Sequence, residues 1–187
     1  AGSTVTGGAG KDTITIGQTG STYNGGAGND TFTAAVADME SGGVFSTISA
    51  GAGTDTLNYT AAAHTVVDSN FKSVTGFEKI KHDTDAGNHA LSFTTGGFFA
   101  TAFSSGVTID SDSGTAAQVF DMGTFDAGAT LDLNVNVTTA DVTVTTGAGA
   151  DTVKLVETAG TTACFKITTG AGNDAVEFTD GAGITDL

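Results

Sequence analysis

The chain has 187 residues and a net charge of −15, from 21 acidic against 6 basic residues, with 28 glycines, one cysteine and neither proline nor tryptophan. All the basic residues are lysine, and without arginine the bidentate phosphate contacts that nucleic-acid recognition leans on are missing, as is a strong partner for acidic polysaccharide. No run of about 18 apolar residues is present to span a membrane, and a single cysteine, Cys164, rules out an intrachain disulfide.

The N-terminal stretch Gly7-Gly8-Ala9-Gly10-Lys11-Asp12-Thr13-Ile14-Thr15 returns 18 positions later as Gly25-Gly26-Ala27-Gly28-Asn29-Asp30-Thr31-Phe32-Thr33. Tyr23 holds the phase between the two copies, so Val5, Ile14, Tyr23 and Phe32 recur every nine residues. Looser copies follow at Ala50-Gly51-Ala52-Gly53-Thr54-Asp55-Thr56-Leu57, at Thr146-Gly147-Ala148-Gly149-Ala150-Asp151-Thr152-Val153 and at Thr169-Gly170-Ala171-Gly172-Asn173-Asp174-Ala175-Val176. One Gly-Ala-Gly-x-Asp is an ordinary tight turn, since glycine and aspartate are common turn residues. Five copies in phase with apolar residues are a repeat architecture.

The pattern G-G-x-G-x-D-x-U-x resembles the RTX calcium-binding nonapeptide family, strongly over residues 7–33 and well over 50–57, 146–153 and 169–176. The resemblance implies an all-β fold, a right-handed parallel β-roll or β-solenoid with calcium in its glycine-rich turns. Residues 1–187 then form one elongated solenoid, with calcium-rich coils at 1–66 and 140–187 and degenerate coils at 67–139; two calcium rolls flanking a small β-domain are the alternative. Several Ca²⁺ ions would be held by Asp12, Asp30, Asp55, Asp151 and Asp174. Turn residues Gly7, Ala9, Gly10, Gly25, Gly26, Ala27, Gly28, Gly51, Gly53, Gly147, Gly149, Gly170 and Gly172 would add backbone carbonyls. Glycine permits the positive φ that such bends need, and a cage made only of oxygens suits Ca²⁺ better than zinc or copper. Carboxylates on successive coils, about 5 Å apart at an effective dielectric near 20, repel by about 3 kcal/mol. A divalent cation between them reverses that sign, so binding and folding are expected to be one event.

Along the rest of the chain, residues 37–43 are expected to bulge from the coil as a loop, after which Ile48, Leu57 and Val66 resume the interval of nine. Residues 64–82 read as a strand, a turn and a second strand, and Val74-Thr75-Gly76-Phe77-Glu78-Lys79-Ile80 resembles segments that follow calcium repeats in RTX-type surface-layer proteins. Residues 84–133 read as coils that keep their shape and lose their metal, with His89 standing where an aspartate is expected and Asp126-Ala127-Gly128-Ala129 as a further echo. The aromatic stretch Gly96–Phe103 either fills the core or forms a contact patch between subunits. Leu131, Leu133, Val135 and Val137 alternate as a half-buried strand should, and Val135, Val144 and Val153 return to the interval of nine. Cys164 lies in a strand-like run as a small hydrophobe. Asp180–Leu187 looks like the opening of another turn, so the chain is expected to be an internal or C-terminal piece of a longer one.

No active site assembles from these residues. Asp110-Ser111-Asp112 is an acidic cluster, but a sugar-cleaving site would need those acids to converge with a lysine in a groove, and arginine, tryptophan and paired tyrosine are missing to hold a saccharide. The calcium turns, the acidity and the Ala, Thr and Gly content resemble bacterial surface-layer (S-layer) proteins of the RTX type. That resemblance implies export by type I secretion, an extracellular place on the cell surface, and calcium-driven self-association into a lattice. Any cell-surface polysaccharide would be contacted through parts of the chain not present here. A calcium-rigidified spacer of a secreted adhesin is the alternative. Thr-x-Thr runs such as Thr13-Ile14-Thr15, Thr31-Phe32-Thr33 and Thr143-Val144-Thr145 suggest ice binding, against which their irregular spacing argues.

Overall fold

The computed structural model describes residues 2–60, 64–83, 90–113, 117–135, 141–157 and 164–180. His89, Val137 and residues 181–187 lie outside them. In chain order, β1 (Thr4–Ala9) and β2 (Thr13–Thr15) make the first coil, and β3 (Thr22–Ala27) and β4 (Thr31–Ala34) the second. Helix α1 (Val36–Met39) and the hairpin of β5 (Glu40–Ser41) and β6 (Val44–Phe45) precede the third coil, β7 (Thr47–Ala52) and β8 (Thr56–Tyr59). The fourth holds β9 (His64–Val66), a 3-10 turn (Asp68–Phe71), β10 (Val74–Thr75) and β11 (Lys79–Asp83). Then come β12 (Leu91–Thr94), α2 (Gly97–Ala102) and β13 (Val107–Ser113); β14 (Gln118–Asp121) and β15 (Ala129–Val135); β16 (Val142–Thr145) and β17 (Thr152–Glu157); and β18 (Phe165–Thr168) and β19 (Ala175–Asp180).

Every coil gives one strand to a single eight-stranded parallel sheet, in the order β19-β17-β15-β13-β11-β8-β4-β2. The facing wall changes hands: β1, β3, β7 and β10 form one parallel sheet, and β9, β12, β14, β16 and β18 another. The result is a parallel β-solenoid. Its register is set by one inward column, Ile14, Phe32, Leu57, Ile80, Ile109, Leu131, Val153 and Val176, each paired directly with the next. A slip of one residue would turn that whole column to solvent. All its members are buried except Val176 on the last strand, which is 42% exposed. The spacing between members varies from 18 residues (Ile14 to Phe32) to 29 (Ile80 to Ile109), because the extra residues are taken up between strands and not within them.

Two segments differ from their sequence reading. Residues 37–43 are not a plain loop: Met39 closes α1 and is buried in the core, while Gly42 and Gly43, at φ 61° and 81°, turn the hairpin. The Asp38 carboxylate ties the insertion down by accepting the Ala35 N–H at 3.2 Å. Residues 64–82 supply three strands and a 3-10 turn instead of two strands, because β9 opens one wall just where β10 closes the other. Cys164 is also exposed, directly ahead of β18, and so is not a core residue.

The aromatic stretch fills the core. Phe99 on α2 and Phe103 just after it are fully buried, while Phe98 stays 41% exposed. Phe99 sits at the centre, with ring centroids 4.6 Å from Phe103, 5.0 Å from Phe71, 5.1 Å from Phe125 and 5.4 Å from Phe93. Most of these contacts are edge-to-face, the arrangement the ring quadrupole favours. The Asp68 carboxylate pins α2 by accepting the Phe99 N–H at 2.8 Å and the Phe98 N–H at 3.3 Å. Replacing Phe99 by alanine should cost about 3–5 kcal/mol, as large core truncations do. Denaturant unfolding checks it, and a loss below about 1 kcal/mol would mean that the aromatic middle does not hold these coils together.

Candidate metal centre

The repeated turns sit between the paired walls, where successive backbones come into contact. Gly26 has φ 106°, and a Cβ built there would overlap the carbonyl oxygen of Gly8; Gly51, at φ 116°, stands in the same relation to Gly26. Only glycine meets both demands, which explains the second position of the motif. At the first position the reason is different. A Cβ on Gly7 would lie 2.6 Å from Asp12 Oδ2 and 2.5 Å from the Gly25 carbonyl oxygen, and a Cβ on Gly25 would collide with Asp30 Oδ2 and the Ala50 carbonyl oxygen. Glycine here leaves open a cradle shared by a carboxylate oxygen and a backbone carbonyl.

The aspartates form a ladder. Asp30 Oδ1 accepts the Asp12 N–H at 2.8 Å, Asp55 Oδ1 accepts the Asp30 N–H at 2.6 Å, and Glu78 Oε2 accepts the Asp55 N–H at 2.8 Å. A second ladder runs from Asp151 Oδ1, which accepts the Ala129 N–H at 2.8 Å, to Asp174 Oδ1, which accepts the Asp151 N–H at 3.0 Å. Parallel register places Val107 and Ala129 at the same position in the intervening coils, so the carboxylates stop there. Asp30, Asp55, Asp151 and Asp174 thus each satisfy a backbone donor of the coil before them. Half of the charge expected to face its neighbour bare is therefore occupied by a hydrogen bond.

The other half has no protein partner. Oδ2 of Asp12, Asp30, Asp55 and Asp151 is buried without a hydrogen bond, and Asp30, Asp55 and Asp151 are at most 1% exposed. A buried carboxylate oxygen without a donor is costly, so a native fold needs something positive beside it. Carboxylate and carbonyl oxygens converge at that point, a donor set that fits Ca²⁺. Among the described residues no three histidine, cysteine, aspartate or glutamate side chains cluster, so backbone carbonyls would have to complete the cage. Bound there, calcium would supply the positive charge that the Oδ2 oxygens lack.

Glu78 escaped sequence reading because a single glycine, Gly76, precedes it in place of a Gly-Ala-Gly turn. The signal was its distance: Glu78 lies 23 residues after Asp55, just as Asp174 follows Asp151 by 23. Its turn is shorter, since four positions separate Thr75 from Lys79 where seven separate their partners Ser49 and Thr56. The longer glutamate side chain spans the gap but arrives without the carbonyls of a Gly-Ala-Gly turn. Glu78 closes the first ladder.

Other expected site residues fall elsewhere. His89 lies outside the described residues, and Val107 holds the ladder position in the coil of β12 and β13. Asp110 does meet lysines, in a depression of about 380 Å³ lined by Thr56, Lys79, Ile80, Lys81, Thr108, Asp110 and Asp132, so Asp132 is a second acid there, while the Asp112 side chain lies outside what is described. Among the described residues its lining has no aromatic ring on which a sugar could stack. The threonines are also better ordered than their spacing predicts: Thr13, Thr31, Thr56, Thr108, Thr130 and Thr152 form one outward row broken only by Lys79. The neighbouring row reads Thr15, Thr33, Asn58, Lys81, Asp110, Asp132, Lys154 and Glu177, and its charges interrupt a flat hydroxyl face.

Burial pushes the Asp55 carboxyl above its ordinary value; the hydrogen bond from Asp30 N–H opposes that rise and the Asp30 charge adds to it. The metal-free fold therefore holds a proton at Asp55 that the unfolded chain releases. Its stability is greatest below the unfolded value and is lost as pH rises through the folded one. Calcium needs the charged form, so its affinity should rise over the same window. In chelator the thermal midpoint should climb on acidification through the range between the folded and the unfolded Asp55 values, and in excess calcium it should fall over that range. A midpoint that drops in both conditions would show Asp55 to be charged and partnered without metal.

A family model described as RTX calcium-binding nonapeptide repeat (4 copies) matches residues 3–18 and 16–35. Neither the curated proteins nor the solved structures yield a match to the chain. Those matched residues are the coils of β1 to β4 that hold Asp12 and Asp30, and the same ladder geometry recurs at Asp55, Asp151 and Asp174 along a parallel β-solenoid. Residues 3–35 match the RTX calcium-binding nonapeptide repeat, and the chain is similar to RTX-type repeat proteins.

Proposed function

We propose that the chain is a structural module which calcium folds and stiffens outside the cell, and that its setting is a bacterial surface layer in which copies assemble into a lattice. The observation that carries the calcium part is the row of buried, unpartnered Oδ2 oxygens on successive aspartates. RTX repeats occur in secreted proteins, and among the described residues no helix is long and apolar enough to cross a membrane. Asp12, Asp30, Asp55, Asp151 and Asp174 each contact an ion on this reading, at the coil steps that retain both a carboxylate and a glycine turn. A net charge of −15 supports the surface-layer setting, since self-repulsion holds the chain open where calcium is scarce and is neutralised where calcium is plentiful. The role on this reading is mechanical.

A stiff spacer within a secreted adhesin uses the same physics. The unbroken eight-stranded sheet favours it, because seven inter-strand steps of about 4.8 Å make a rod about 34 Å long. Calcium added to the full protein separates the two: ordered sheets in electron micrographs mark the lattice, and a persistent monomer marks the spacer.

Asp30 tests the metal itself. In Asp30→Asn an oxygen still accepts the Asp12 N–H but the charge is gone, so strand content in chelator should be near wild type while the gain on adding calcium shrinks. Asp30→Ala should also lose about 1–3 kcal/mol, because the Asp12 N–H is left without its acceptor. Asp126→Ala, at an exposed position, should change stability by no more than about 0.5 kcal/mol. Circular dichroism of the wild type that is identical in chelator and in calcium would end the proposal.

A further inference from the structure

The two ladders differ at one position. Five residues before its aspartate the first ladder carries Gly7, Gly25 and Ala50, whereas the second carries Thr146 and Thr169. That is the position where a Cβ at Gly7 or Gly25 comes up against Asp12 Oδ2 or Asp30 Oδ2. The turns stack alike, since a Cβ on Gly170 would overlap the Gly147 carbonyl as one on Gly26 overlaps that of Gly8. They differ in backbone: Gly8, Gly26 and Gly51 have positive φ and Gly147 and Gly170 do not, so a side chain fits at Thr146 where it would collide at Gly7 or Gly25. Thr146 is 2% exposed and its Oγ1 is buried with no hydrogen-bond partner, while Asp151 Oδ2 is orphaned in the same turn. Its backbone is fixed independently, because the Thr146 N–H donates to the Thr168 carbonyl at 2.9 Å.

We infer that Thr146 is an additional calcium ligand, whose hydroxyl oxygen joins the Asp151 carboxylate in a cage that the first ladder builds without a side chain at that position. The inference rests on the proposed calcium reading. A buried hydroxyl and a buried carboxylate oxygen, both unpartnered and five residues apart in one turn, are a poor arrangement for an empty core and a good one for a hard cation. Valine has the shape of threonine and would remove the unsatisfied group, so a residue kept only for packing gains nothing from the oxygen. Calcium takes six to eight oxygens, and a hydroxyl supplied by the protein replaces one that water would otherwise provide. The second ladder is then the drier site.

The test compares wild type, Thr146→Val, Thr146→Ser and Asp151→Asn in the full chain, with terbium(III) as the probe and calcium as competitor. Luminescence lifetimes in light and heavy water count the waters on the bound ion. Thr146→Val should add about one water at one site and weaken binding there by about tenfold, while Thr146→Ser stays near wild type. In chelator Thr146→Val should melt no lower than wild type, which separates a lost ligand from a damaged fold. Equal affinity and hydration in Thr146→Val would overturn the assignment, as would weaker binding without extra water, which would make the hydroxyl a positioning group for Asp151. If Asp151→Asn also binds like wild type, the calcium reading of the second ladder fails with it; if only Asp151→Asn is impaired, that reading stands and Thr146 is not a ligand.

Discussion

Everything about these turns follows from a carboxylate that is only half satisfied. Stacked coils leave a backbone N–H at each turn's end, and the aspartate of the next coil reaches over to accept it, as Asp30 does for Asp12 and Asp55 does for Asp30. That bond forces the carboxylate inside, and its second oxygen goes in with it. The geometry that closes one coil on the next therefore also creates the demand for a cation.

The middle of the solenoid shows the alternative. Where the ladder position is Val107 and then Ala129, no carboxylate is buried and the coils are held by phenylalanine rings gathered around Phe99. The residues that border this region belong to both regimes. Glu78 accepts a ladder N–H from a turn too short to carry the carbonyls, and the Ala129 N–H donates to Asp151 while offering no carboxylate of its own. Aromatic packing and carboxylate stacking alternate along one sheet without interrupting it.

The architecture was legible in the sequence because it rests on spacing. Ile14, Phe32 and Leu57 keep their phase with the glycine turns, and that phase alone places them inward in adjacent strands. Glu78 was illegible because its role depends on side-chain reach across a shortened turn, and motif matching reads neither length nor reach. The handover of the facing wall from β10 to β9 was also hidden, since it is a pairing between coils and leaves no local pattern. The threonine rows taught the opposite lesson. Spacings that look irregular along the chain become straight columns once the extra residues are placed between strands, so an argument from irregular spacing against a flat face does not hold here. The charges of Lys81, Asp110, Asp132 and Lys154 on the next row are what break that face.

Placing the two ladders on either side of an apolar middle has a consequence for how metal and fold are linked. If every coil carried a buried carboxylate, the metal-free chain would have no part able to form alone, and the first ion would meet an unfolded coil. A middle packed on Phe71, Phe93, Phe99 and Phe120 makes no such demand for metal. On the proposed reading it serves as a template: β8 and β11 present an edge to which the first ladder adds coils, and β15 presents one to the second. Each added coil brings one aspartate, against a carboxylate already in place at every step except that of β17 onto β15, so each can be ordered by a local ion. In a repeat protein whose coils contact mainly their neighbours, that converts one difficult nucleation into a series of small steps outward from the middle.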